Sequence, residues 1–114
     1  MIPGKYNIVC PQGSTFHQQF TWIIGDTPVD LTYYTARMQV REKHTSTVYN
    51  LNLTTENGGI VLGGDEGTIL VTISATDTSE LVPKEYVYDL ELDSGGEVTR
   101  IIEGKFIVTP EVTR

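Results

Sequence analysis

An all-β fold, an antiparallel β-sandwich of immunoglobulin-like type with about seven or eight strands and one short helical turn, is what this sequence predicts. Three observations carry the prediction. Apolar residues recur with a period of two in several short runs, turn residues separate those runs at near-regular spacing, and no segment is long enough for a stable helix. A small barrel is the alternative arrangement of the same strands. Length sets the domain count: 114 residues suit a single domain spanning 1–114 that buries roughly two-thirds of its unfolded surface.

The elements follow in order. Tyr6 to Cys10 is a first short strand, and Thr15 to Ile24 a longer one with Phe16, Gln18, Phe20 and Trp22 on one side. Gln18 interrupts that apolar face, so it either sits near an edge, the commoner case, or finds a hydrogen-bond partner. Gly25-Asp26-Thr27-Pro28 is a turn, and Val29 to Thr32 a brief connector capped by Asp30. Thr35 to Glu42 is a strand with Ala36, Met38 and Val40 inward and Arg37, Gln39 and Arg41 outward.

A polar connection at Lys43 to Thr47 leads by a hairpin to a strand at Val48 to Leu53, with Tyr49, Leu51 and Leu53 in phase. Ile60-Val61-Leu62 lies among five glycines, which predicts a small strand between tight turns. Ile69, Val71 and Ile73 mark the next strand. Thr76 to Leu81 reads as one helical turn crossing the end of the sandwich, stopped by Pro83.

The last thirty residues are the clearest. Tyr86, Tyr88, Leu90 and Leu92 alternate with Val87, Asp89, Glu91 and Asp93, and Gly95-Gly96 supplies the positive φ values of a two-residue turn. Ser94 then faces Glu97, Leu92 faces Thr99, Leu90 faces Ile101, and Glu91 faces Arg100 in a cross-strand ion pair. The apolar alternation moves to Phe106 and Val108, so the frame must shift, and a bulge near Gly104 provides the shift. Trp22 and the inward tyrosines anchor the core, each burying on the order of 150 to 250 Å².

Charge excludes some partners. The formal charge of −7 and pI of 4.6, with only 8 Lys and Arg and no basic run, argue against nucleic acid. No apolar stretch approaches a membrane span, and the start lacks the blocks of a signal peptide, so synthesis in the cytoplasm is expected. Asn52-Leu53-Thr54 matches a glycosylation acceptor and has no consequence without secretion. The single cysteine, Cys10, reads as a small buried hydrophobe.

Chemistry is sparse. His17 and His44 sit in no catalytic or metal spacing, and two imidazoles with one thiol do not make a structural zinc site. Gly63 to Gly67 lacks the ligand ladder of a calcium loop and the Lys-Ser or Lys-Thr of a phosphate cradle, which leaves a hairpin turn. No catalytic residue, metal or cofactor is expected. The candidate interface comprises Asp89, Glu91 and Asp93 as an acidic stripe, Arg37 and Arg41 as a basic counterpart on another strand, and Tyr33 with Tyr34 as exposed aromatics. The stripes read either as solvated faces or as charge-matched docking surfaces.

Several words of the sequence together resemble a family of small structural proteins of tailed bacteriophages: GSTFHQQFTW at Gly13 to Trp22, PVDLT at Pro28 to Thr32, TARMQVR at Thr35 to Arg41, and TTENGGIVLGGDEGTI at Thr54 to Ile69. YVYDLEL at Tyr86 to Leu92 and GKFIVTPEVTR at Gly104 to Arg114 complete it, and the closing words are similar to the N-terminal β-domain of phage upper baseplate proteins. The resemblance implies a non-enzymatic virion component, an adaptor or attachment module in the tail, baseplate or tail-fibre region. Its partners are then other virion proteins, as a homo-oligomer or a ring-docked subunit. Because this chain ends at Arg114, where upper baseplate proteins continue, action by docking is expected. A capsid-decorating or head-to-tail joining protein is the alternative, and a carbohydrate-binding module using Tyr33, Tyr34 and Tyr49 a third reading.

Overall fold

The computed structural model describes residues 4–112, and it is all-β. The widest sheet is built around two long strands, β10 (Glu85–Ser94) and β11 (Glu97–Thr109), joined by the Gly95-Gly96 turn with φ of 61° and 98°. The alternation of Tyr86, Tyr88, Leu90 and Leu92 drives all four into the core, at 3% exposure or less. Outward from β10 lie β6 (Thr35–Arg41) and then β7 (Leu51–Thr54), both antiparallel to their neighbours.

The other flank of β11 departs from an all-antiparallel sandwich. There β1 (Gly4–Lys5) and β2 (Ile8–Pro11) run parallel to β11, end to end along one edge. What the sequence presents as one strand from Tyr6 to Cys10 is therefore two, broken at Tyr6 and Asn7. Side chains bridge the break. Tyr88 Oη donates to the Tyr6 carbonyl at 2.7 Å, and Asn7 Oδ1 accepts from the Lys105 amide at 3.1 Å. Backbone groups that leave the ladder at the break thus keep partners.

A second sheet, β3 (Phe16–Thr21), β9 (Thr68–Ile73) and β8 (Ile60–Leu62), faces the first across the core. The expected strand from Thr15 to Ile24 breaks at Trp22, whose amide and carbonyl turn to Gly67 and Val29. Beyond it, β4 (Ile23–Ile24) and β5 (Thr27–Pro28) form a separate two-stranded ribbon. These breaks and the ribbon raise the strand count among the described residues to eleven.

Two further expectations shift. Val48 and Tyr49 lie outside any strand and are exposed, so only Leu51 and Leu53 enter the core. The helical turn α1 (Ala75–Ser79) begins earlier than Thr76, because Ser74 is its N-cap and accepts from the Asp77 amide at 3.1 Å. Thr78, fully buried, ties α1 to the connection before β3 by donating to the Ser14 carbonyl at 2.8 Å.

Cys10 is fully buried, and burial pushes its thiol up to about 11 from a model-compound value of 9.0. The folded chain holds the proton that the unfolded chain releases. This contribution is whole below about pH 9 and falls away as pH rises through 11, by on the order of 2 kcal/mol. Urea titrations between pH 8 and 11 are expected to show a steeper loss of stability for the wild type than for Cys10→Ala. Equal slopes would mean that the thiol is not held neutral by folding.

A charged cleft on the outer face of the large sheet

At the centre of the large sheet, strand register fixes three rows of outward residues. Arg37, Glu91 and Arg100 make one row. Gln39, Asp89 and Glu103 make the next, and Lys5 extends it on β1. Arg41, Val87 and Lys105 make the third. A middle row carrying two adjacent carboxylates is thus flanked on both sides by cationic rows. Like charges side by side are tolerable only with such neighbours.

The face holds a cleft of about 400 Å³ whose lining includes Arg37, Gln39, Arg41, Asp89, Glu91, Arg100 and Glu103, together with His44 from the β6–β7 connection. Arg100 Nε lies 3.3 Å from Asp89 and its Nη1 3.5 Å from Glu103, while Lys5 Nζ reaches Glu103 at 2.6 Å. The hydrogen bond from Lys5 holds the Glu103 carboxyl below the usual carboxylate range. Arg37 stands 3.8 Å from Glu91.

The seven interface residues expected from sequence separate into groups. Arg37, Arg41, Asp89 and Glu91 line the cleft together. The acidic and basic stripes are neighbouring strands of one sheet, so Arg37 and Glu91 meet within the chain. Asp93 faces outward but is spent on the turn, accepting from the Gly96 amide at 2.8 Å. Tyr33 is 88% exposed and stands apart from the cleft lining. Tyr34 is half-buried and packs edge-on against Trp22, with centroids 5.9 Å apart at 82°. The two tyrosines are therefore not an exposed pair.

Gln39, Glu103 and His44 were not among the expected residues. Glu103 was hidden by the position of the bulge. The register slips between Leu90 and Glu91, with Leu90 facing Ile102 and Glu91 facing Arg100, so Ile101 is the extra residue. That shift turns Glu103 outward, opposite Asp89. Gly104 lies three positions later, where the Tyr6 backbone approaches too closely for a Cβ. The expected Glu91–Arg100 ion pair gives way to Arg100 bound between Asp89 and Glu103.

Half-exposed pairs of this kind add little to stability. A double-mutant cycle on Arg37→Ala and Glu91→Ala is expected to give a coupling below about 1 kcal/mol in urea unfolding. A coupling well above that would make the face a stabilising device. Among the described residues no three His, Cys, Asp or Glu side chains cluster as metal ligands, and no helix is long and apolar enough to cross a membrane. No protein-family model matches this chain, and no curated protein matches it.

Proposed function

We propose that this chain is a non-enzymatic structural module of a tailed-bacteriophage particle, acting as an adaptor or attachment module in the tail, baseplate or tail-fibre region. In this reading the fold is an immunoglobulin-like sandwich to which the two short parallel strands β1 and β2 have been added along the edge of β11. The observation that carries the docking role is the outer face of the large sheet. It is broad, half-exposed and patterned in rows of opposite charge, with a concavity wide enough for side chains of a partner.

Patterned charge of low worth to folding suits recognition, because complementary rows fix register and reject mismatched partners. The resemblance in sequence to small phage structural proteins supplies the biological setting. The experiment is mass spectrometry and antibody labelling of purified particles carrying the gene. The expected result is the chain in stoichiometric amounts at the tail. Labelling confined to the head or the head-to-tail joint supports the decorating or joining alternative instead, and absence from purified particles overturns the reading.

A further inference from the structure

Every carboxylate that lines the charged cleft has a cation, and two of its three arginines have a carboxylate. Asp89 has Arg100, Glu91 has Arg37, and Glu103 has Lys5 and Arg100. Among the described residues Arg41 is the exception. Its Nη1 donates to the Ser46 carbonyl at 2.9 Å and its Nη2 to Gln39 Oε1 at 2.7 Å, both neutral acceptors. Gln39 is itself held, through Nε2 to Asn52 Oδ1 at 3.2 Å.

The chain has 15 Asp and Glu against 8 Lys and Arg, yet among the described residues no carboxylate stands within ion-pair distance of Arg41. The cleft lining is balanced, Arg37, Arg41 and Arg100 against Asp89, Glu91 and Glu103, but Glu103 is also served by Lys5 from outside it, so the carboxylates are answered without Arg41. A guanidinium has five donors in a rigid fork, and two bonds to fixed acceptors leave three donors pre-oriented. Such a group recognises carboxylate in bidentate fashion at little further entropic cost.

From this the geometry points to Arg41 as a carboxylate-recognition site: the cleft receives an Asp or Glu side chain from an acidic segment of a partner protein, which Arg41 binds. The inference rests on the docking reading and names the partner's chemistry at that face. Charge complementarity selects the occupant, since Arg41 bonds only neutral acceptors while the carboxylates around it are already paired.

The test is a nuclear magnetic resonance titration of the full chain, reading the arginine Nε–Hε signals, with an acetylated and amidated Gly-Glu-Glu-Gly peptide as probe. A saturable shift at Arg41 is expected, with a dissociation constant on the order of 1 mM for so small a ligand. The Gly-Gln-Gln-Gly peptide is expected to give no saturation. Arg41→Gln should weaken binding at least about tenfold, Arg41→Lys by a smaller factor because it keeps the charge and loses the fork, and Arg37→Gln by less than about twofold. The unchanged backbone spectrum of each variant reports that it is folded, and Arg41→Lys serves if Arg41→Gln is not.

No saturable shift, equal binding by Arg41→Gln or Arg41→Lys and wild type, or binding of inorganic phosphate without binding of the glutamate peptide overturns the assignment. A failed titration with the chain present in particles removes the carboxylate assignment alone. A successful titration with the chain absent from particles removes the phage docking reading and leaves the site.

Discussion

Replacing Gly104 with alanine is expected to destabilise the protein by about 2 to 4 kcal/mol, more than most single-methyl additions. A Cβ at this position would lie 2.1 Å from the Tyr6 carbonyl oxygen, 2.8 Å from its carbon and 3.1 Å from Asn7 Oδ1. Two of these atoms are backbone and cannot swing aside. The close approach is where the N-terminal edge breaks: Tyr6 donates its amide to the Glu103 carbonyl at 3.0 Å, and the Tyr6 carbonyl takes the Tyr88 hydroxyl. Glycine is present for approach and not for backbone freedom, since its φ is not positive.

The cost should therefore be local to the edge. In hydrogen exchange, Gly104→Ala is expected to expose the amides of β1 and β2 before those of β10. In a chain lacking residues 1–6 the same substitution should cost less than about 1 kcal/mol, because the obstructing carbonyl is gone. An unchanged cost in the shortened chain would place the strain elsewhere.

Phe106→Ala is expected to cost about 3 to 5 kcal/mol in urea unfolding. Phe106 is fully buried and meets rings from both sheets: Phe16 of β3 edge-on at 6.2 Å and 71°, and Tyr88 of β10 at 6.5 Å and 72°. Removing it leaves a cavity between layers that β3, holding only β9 on its paired side, has little else to fill with. Phe106→Leu keeps much of the volume and should cost about 1 to 2 kcal/mol. A loss under about 1 kcal/mol for alanine would show that the small sheet does not depend on this contact.

Periodicity made the inner face legible. Tyr86, Tyr88, Leu90, Leu92, Met38 and Val40 are all in the core where alternation put them, and the Gly-Gly turn set Ser94 opposite Glu97 and Leu92 opposite Thr99. Alternation reports which face a side chain takes, and nothing about which strand lies alongside or in which direction. Hence the parallel course of β1 and β2 was not readable, nor was the adjacency of β6 and β10 that merges two charge stripes into one face.

The bulge was misplaced for a related reason. Glycine is the usual signature of an irregular strand, but the extra residue is Ile101, β-branched and without any local mark. Gly104 instead answers to a carbonyl almost a hundred residues away in sequence, a constraint visible only in three dimensions. Of the cleft, Arg37, Arg41, Asp89 and Glu91 were within reach of pattern alone. Glu103 depended on the bulge, and the unanswered charge of Arg41 on side-chain geometry.

The charged outer face as the surface gripped in the particle is the claim on which the account turns, and lysine footprinting tests it directly. Lys5 and Lys105 lie on that face, whereas Lys84 pairs with Glu42 away from it. Acetylation of assembled particles and of the free chain should show Lys5 and Lys105 protected on assembly and Lys84 unchanged. Equal reactivity of Lys5 and Lys105 in both states would contradict the account.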